Sequence, residues 1–360
     1  MSGGSASQRA LRILVVRLSA MGDVIHSMPA AALLRMAFPS AHIGWVIEER
    51  WAELLCARSR DRLGPRSPAK PLVDAVHTVN MKAWRWAPFS DETWREGLAS
   101  LRELRGEKYD VAVDLQGAIR SALLAQIIGT PARFGFDRPR EYAASLFYTT
   151  RVVARGTHII EQHVSLARPL AGADAGVPEI EFPRDEQTEQ WCDYQLSQRN
   201  MRDFAILNPG AGWGAKQWPA ERYAEVARGL ADRGVMSLVN FGPGEESLAQ
   251  AVEQASDGAA EAVSCSITEL IAIMRRASLF IGGDTGPLHL AASLHVPVVG
   301  IYGPTDPARN GPFGTRSIVL RSPSSATTHA RRSRPDEGML AITPADVLAA
   351  TTQVLRGGIV

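Results

Sequence analysis

In "RILVVRLSAMGDVIHSMPAAALLR" an aspartate stands where a strand-to-helix passage of a nucleotide-binding fold would carry a glycine-rich phosphate loop. A carboxylate there repels a diphosphate, so Asp23, with Met21, Gly22 and His26 around it, is better suited to proton removal than to phosphate binding. The plainer alternative is that Asp23 caps a helix beginning near Val24. Phosphate chemistry finds its residues further on. In "FIGGDTGPLHLAASLHVPVVGIYGPTDP" a strand over 278–282 runs into Gly282-Gly283-Asp284-Thr285-Gly286, and a helix with Pro287 near its start follows. Free N–H groups at such a start carry partial positive charge, small residues allow close approach, and Thr285 adds a hydroxyl beside Asp284 and His289. In "LNPGAGWGAKQWPAERYAEVARGL" a strand ends at Asn208 and a mobile glycine-rich loop delivers Lys216, a counter-charge for a diphosphate if it is not simply solvated. "NFGPGEESLAQAV" sets Glu245 and Glu246 in the first turn of a helix. Acids there favour the helix dipole, and a carboxylate at a strand end can also accept two hydrogen bonds from a ribose diol.

These residues need strand ends to hold them. "RILVVRLS", "HIGWVIE", "AVHTVN", "YDVAVDLQ" and "ARFGF" read as buried strands, with helical patterns at 24–37, 91–106, 119–128 and 158–171, as in parallel βαβ units. "GADAGVPEIEFPRDE" lacks periodicity and reads as a linker. The pattern then restarts with "DFAILNPGAG", "VMSLVNFGPG", "ASLFIGGDTG" and "VPVVGIYGPTD", each an apolar strand ending in a polar, glycine-rich loop. Ligands of open α/β sheets bind at the carboxyl ends of strands, so two such domains would face one another across a cleft lined by these loops. The stretch 322–338 is poor in apolar residues and reads as a mobile tail before a last helix capped by Thr343 with Pro344 at its first position.

Composition narrows the classes. With 45% hydrophobic and 21% charged residues the chain has the make-up of a globular protein, long enough for two domains of about 150 residues each. No apolar run reaches the roughly 18 to 20 residues of a membrane span, and MSGGSASQRA lacks the apolar core of a signal peptide, so the expected location is the cytoplasm. Cys56, Cys192 and Cys265 form neither a CxxC pair nor a disulfide framework, in keeping with a reducing compartment. A net charge of +1 gives no sign of nucleic-acid binding. Residues 1–150 nevertheless hold 20 Lys and Arg against 15 Asp and Glu. The segment "CARSRDRLGPRSPAKP", with Arg58, Arg60, Arg62, Arg66 and Lys70, is either a solvated loop or a patch for an anionic ligand.

Together these motifs resemble glycosyltransferase family 9, the lipopolysaccharide heptosyltransferases. The resemblance spans about residues 11 to 356: "SAMGDVIHSMPA" matches the N-terminal loop, "DLQGAIRSALLA" the acceptor-domain strand and helix, K-x-W-P the lysine loop, and "GGDTGPLHLAA" with "YGPTDP" the nucleotide-sugar signature. "GWVIEERWAELL", "MKAWRW" and "GFDRPREYAASLFY" are most similar to the heptosyltransferase I branch, which joins the first heptose to the inner Kdo of Kdo2-lipid A. The resemblance implies an α/β GT-B fold of two Rossmann-like domains with parallel sheets facing a central cleft. It implies an acceptor domain at 1–175, a nucleotide-sugar domain at 176–343 and a C-terminal helix at 344–360. It further implies an ADP-heptose donor, Asp23 as general base, and Lys216 stabilising the diphosphate. Glu245 or Glu246 would hold the ribose, and Asp284, Thr285, Gly286 and His289 would line the diphosphate and heptose. Arg17, Ser19, Gly22 and Arg120 would lie on the acceptor side. The implied place of work is the cytoplasmic face of the inner membrane, in peripheral contact with it. The chain departs from some members in having Ala211 and Gly212 where they carry hydroxyl residues, and it lacks their cysteine-rich segment before the last helix.

The expected reaction is an inverting glycosyl transfer. No Asp-x-Asp pair occurs, so no metal is expected to be required. The rival readings are a GT-B transferase with another nucleotide sugar or acceptor, such as a heptosyltransferase II-like enzyme, and a non-catalytic nucleotide-sugar-binding module. The binder has no need of a base such as Asp23 beside Lys216. An NAD-type oxidoreductase is disfavoured because no G-x-G-x-x-G follows the first strand.

Overall fold

The computed structural model describes residues 9–87, 90–172, 176–328 and 334–356. It comprises two compact units, Met1–Pro183 and Arg184–Val360, the division falling within the linker segment.

In the first unit the chain runs β1 (Arg12–Val16), α1 (Met21–Ala37), β2 (His42–Glu48), β3 (Ala75–Val79), α2 (Met81–Trp86), α3 (Asp91–Gly106), β4 (Val111–Asp114), α4 (Ile119–Ile127), β5 (Ala132–Phe136), β6 (Thr150–Val152) and α5 (Ile159–Ala171). The strands form one parallel sheet in the order β3-β2-β1-β4-β5-β6. Val15 and Val16 of β1 are fully buried, as a central strand covered on both faces requires. The register pairs Val16 with Val46 on one side and with Asp114 on the other. The strand order reverses between β1 and β4, the switch point at which ligands of such sheets bind.

The second unit repeats this plan: α6 (Glu186–Gln198), β7 (Phe204–Asn208), α7 (Ala220–Ala231), β8 (Met236–Asn240), α8 (Glu246–Ala255), β9 (Ala260–Val263), α9 (Ile267–Met274), β10 (Leu279–Gly283), α10 (Gly286–Ser293), β11 (Val298–Tyr302), α11 (Pro307–Asn310), β12 (Ser317–Arg321), α12 (Glu337–Ala341) and α13 (Pro344–Arg356). Its parallel sheet has the order β12-β11-β10-β7-β8-β9, with the switch point between β7 and β10. Trp218 anchors this unit: its ring is buried edge-on to Tyr223 at 5.0 Å, and its indole N–H donates to the carbonyl of Ile342 at 3.0 Å. Val347, Ala350 and Val354 of α13 belong to the same apolar core, so the last helix is part of the second unit. Thr343 caps it, accepting from the N–H of Asp346 at 3.2 Å.

Two expectations are corrected. The described parts of 322–338 are anchored: the N–H of Thr328 donates to the Pro304 carbonyl at 2.9 Å, and Ser325 Oγ to Asp336 at 3.1 Å. Low apolar content misled there because polar side-chain and backbone hydrogen bonds hold the segment. Residues 329–333, like 1–8, 173–175 and 357–360 at other expected boundaries, lie outside the described residues. Nor is the basic loop a uniform patch. Lys70 is 0% exposed, and its ammonium donates to the carbonyls of Arg62 at 3.2 Å, Gly64 at 2.8 Å and Asp74 at 2.5 Å. Arg62 donates to Thr78, and Arg66 pairs with Asp74 at 3.6 Å. A loop with little regular structure needs donors for its carbonyls, and the Lys70 ammonium supplies three of them.

Candidate functional site

At the first switch point α1 begins at Met21, which places Asp23 in its first turn. The N–H of Ala20 donates to Asp23 Oδ2 at 3.0 Å, so the carboxylate of the first turn reaches back to the backbone just before the helix. The other oxygen meets the guanidinium of Arg17 at 2.8 Å, and the Asp23 side chain remains 42% exposed. Burial raises the pKa of this carboxyl, but Arg17, the Ala20 N–H and nearby His163 outweigh it and hold the group below its ordinary value. The carboxylate is therefore ionised at neutral pH and partly open to solvent. Arg17 is fixed in turn by donating to the Leu115 carbonyl, while its own carbonyl accepts from the indole of Trp45 at 3.0 Å.

The loop after β4 closes the other side. Gln116 Oε1 accepts from the N–H groups of Leu18 at 3.0 Å and Ser19 at 3.5 Å, which ties the two switch-point loops together. Gln116 is placed by Asp114, a buried carboxylate that accepts from the N–H groups of Gln116 and Gly117 and from the hydroxyls of Ser121 and Tyr148, all within 2.8–3.1 Å. Burial pushes the Asp114 carboxyl up in spite of these donors. Gly117 has a left-handed φ of 65°, and a Cβ there would crowd Pro139 and Arg140. Arg120, in the first turn of α4, has no hydrogen-bond partner for its Nε among the described residues and no bond to Arg17 or Asp23. Gly22 and Ser19 flank Asp23 as half-buried backbone positions.

At the second switch point Lys216, Asp284 and His289 form one buried cluster. Lys216 Nζ lies 2.6 Å from Asp284 Oδ2, and His289 Nε2 3.1 Å from Oδ1. Burial raises the Asp284 pKa, but the hydrogen bond and charge of His289 and the ammonium of Lys216 outweigh it and hold this carboxyl well below the carboxylate range. The lysine loop is thus ordered at its end, in a 3₁₀ turn over Gly214–Lys216, with the ammonium 5.3 Å above the Trp213 ring. Asn208 knits the strand ends together: its amide donates to the Gly210 carbonyl at 3.1 Å and to Thr285 Oγ1 at 3.5 Å, and Asn240 donates to its oxygen at 2.6 Å. Thr285 precedes α10, and with Gly286 it presents the helix start beside the cluster.

The two glutamates separate. Glu245 accepts from the Gly242 N–H at 2.8 Å and lies against Gly210, where any Cβ would come within 2.1 Å of its carboxylate. Glu246, the first residue of α8, accepts from the Gly244 N–H at 3.1 Å in an exposed position. Glu245 therefore adjoins the lysine loop, while Glu246 serves the backbone of its own turn. Sequence reasoning missed Asp114, Gln116 and Asn240 as organisers of these loops. The available signal was their position, polar residues at the carboxyl ends of otherwise apolar strands or just beyond them.

The model of glycosyltransferase family 9 (heptosyltransferase) matches residues 98–339. Lipopolysaccharide heptosyltransferase 1 of Pseudomonas aeruginosa is 30% identical, over 87% of this chain and 84% of the relative. The protein of the same name from Escherichia coli K12 is 30% identical, over 87% and 94%. Among solved structures, the E. coli heptosyltransferase WaaC with ADP superposes with a TM-score of 0.77 at 26% identity, covering 96% of this chain and all of that one. With two parallel sheets of the GT-B kind and a family match over two thirds of its length, the chain belongs to glycosyltransferase family 9 and is a heptosyltransferase.

Proposed function

We propose that this enzyme transfers L-glycero-D-manno-heptose from ADP-heptose to the Kdo of Kdo2-lipid A, with inversion, during assembly of the lipopolysaccharide inner core at the cytoplasmic face of the inner membrane. The observation that carries this reading is the division of chemistry between two switch points: an ionised, accessible carboxylate at the first and a lysine-centred cation cluster beside a helix start at the second. Its support among relatives is the heptosyltransferase 1 name of the two at 30% identity and the ADP in the WaaC structure.

In this mechanism Asp23 accepts the proton of the acceptor hydroxyl as its oxygen attacks the anomeric carbon from the face opposite ADP. Arg17 orients the carboxylate, at the cost of some basicity. The diphosphate leaves with its growing negative charge met by Lys216 and by the free N–H groups at the start of α10. Lys216 exchanges part of its contact with Asp284 for phosphate oxygens, and His289 keeps Asp284 in place. Glu245 holds the ribose, and backbone N–H groups at Ala211 and Gly212 take the part that hydroxyl side chains play in some members. The test is the mass of the product after incubation with ADP-heptose and Kdo2-lipid A. A gain of one heptose supports both donor and acceptor; a gain only on an acceptor that already carries heptose assigns the enzyme to a later step.

A further inference from the structure

We infer that Asp336 is a positioning residue for Lys216: with Ser325 it fixes the loop that carries the ammonium, so that the charge is in place before the diphosphate arrives. This rests on the reading of Lys216 as the partner of the diphosphate and goes beyond it by assigning what holds the lysine there.

The stretch "PGAGWGA" before Lys216 has three glycines in seven residues, and so many conformations to lose. Left to itself it would deliver the lysine to no particular place. Two contacts at its end remove that freedom. The Ala215 carbonyl accepts from the Asp336 N–H at 3.3 Å, and the Lys216 carbonyl lies so close to the end of β10 that a Cβ on Gly283 would stand 3.1 Å from it. Trp218, two residues on, is pinned by the same distant segment through the Ile342 carbonyl. Arg222 in the first turn of α7 donates to the carbonyls of Leu340 and Ile342, each at 2.7 Å. The stretch 336–342 therefore holds the chain on both sides of Lys216.

The Asp336 N–H can hold Ala215 only if Asp336 is itself held, and its carboxylate does this. Oδ1 accepts from the Gly338 N–H at 3.0 Å, capping α12, and from Ser325 Oγ at 3.1 Å. Ser325 is buried, and Arg321 at the end of β12 ties it to the sheet by donating to the carbonyls of Ser325 at 3.0 Å and Gly303 at 3.1 Å. Met339 of α12 is fully buried against Gly303, where a Cβ would come within 2.5 Å of its side chain. Attachment thus runs from the ends of β11 and β12 through Ser325 and the Asp336 carboxylate to the Ala215 carbonyl, next to Lys216. An ammonium already in place spares the nucleotide the entropy of ordering the loop when it binds.

The experiment measures the ADP affinity of the full-length protein by titration calorimetry in a double-mutant cycle. Asp336→Ala should weaken ADP about fivefold to tenfold, and Ser325→Ala, which leaves the cap on Gly338, about threefold. Asp336→Asn keeps an oxygen for both donors and should stay within about twofold of the parent. In the weakened Lys216→Ala protein a further Asp336→Ala should change the affinity by less than about twofold, because no ammonium is left to position. Ser325→Ala, combined with Lys216→Ala in the same way, gives the answer even where Asp336→Ala fails to fold. A role in stability alone would lower the thermal midpoint and weaken ADP by the same factor in both backgrounds. That additivity overturns the assignment, as does an Asp336→Asn protein as weak as Asp336→Ala. Lys216→Ala that binds ADP like the parent would remove Lys216 from the diphosphate, whereas a weakened Lys216→Ala beside an unchanged Asp336→Ala would remove only the positioning role.

Discussion

The proposed mechanism asks two things of Asp23 at once, and a single substitution separates them. As a cap it accepts the Ala20 N–H; as a base it must take a proton while paired with Arg17. Asp23→Asn keeps the size and the capping acceptor and removes the basicity. Turnover should fall about 10² to 10⁴-fold while ADP-heptose affinity changes little. Near-normal turnover in that variant would return Asp23 to a structural role. Asp284 obeys a different logic because its pairing is buried. Its folded pKa is depressed, so the stabilisation it brings is complete above the ordinary carboxylate range and is lost as pH falls through the lowered folded value. Asp284→Asn leaves Lys216 without its anion and should cost about 3 kcal/mol at pH 7. The deficit against the parent should shrink below about pH 4 in thermal unfolding. A deficit that stayed constant down to pH 2 would mean that the ion pair is not its source.

Among the elements, the loop at 58–70 and the start of α4 carry cations with opposite duties. The ammonium of Lys70 fills three carbonyl positions inside its loop, so Lys70→Met should lower stability by about 2 to 3 kcal/mol with the acceptor Michaelis constant little changed. Arg120, with an unpartnered Nε at a switch point, should do the reverse: Arg120→Ala raises the acceptor constant and flattens its rise with salt, since exposed attraction is screened over about 10 Å at 0.1 M. Kinetics at two ionic strengths distinguish them, and equal salt slopes for parent and Arg120→Ala would remove Arg120 from the acceptor side. The same contrast explains what was legible in the sequence. Long elements with clear periodicity, such as the helix at 91–106 and the strands ending at Asn208 and Gly283, stand where apolar pattern and turn chemistry put them. The edge strands Thr150–Val152, Ala260–Val263 and Ser317–Arg321 were not read from the sequence, because each is short and only partly buried, with at most three consecutive apolar residues to announce it. Lys70 was misread for a related reason: composition counts its charge but cannot show that nearby backbone carbonyls have already claimed it.

At the scale of the whole molecule, the two units share one strand order, 3-2-1-4-5-6 counted from the first strand of each, yet they have different residues at the switch point. In the first unit that point carries a carboxylate tied to Arg17, which disfavours a diphosphate. In the second it carries Lys216 and a helix start opened by Gly286, which favour one. Equal folds with opposite local charge predict unequal ligand binding, so ADP should reduce backbone exchange in the intact protein chiefly at 208–217, 242–246 and 283–289. These are the segments whose N–H groups and side chains converge on the strand ends of the second sheet. Backbone amides that gain a phosphate or ribose partner become protected, whereas those around Asp23 have nothing to gain from ADP alone. Hydrogen–deuterium exchange with and without saturating ADP makes the comparison in one experiment. Protection centred on 17–24 rather than on 208–217 would exchange the assigned roles of the two units, and with them the assignment of Asp23 as the base.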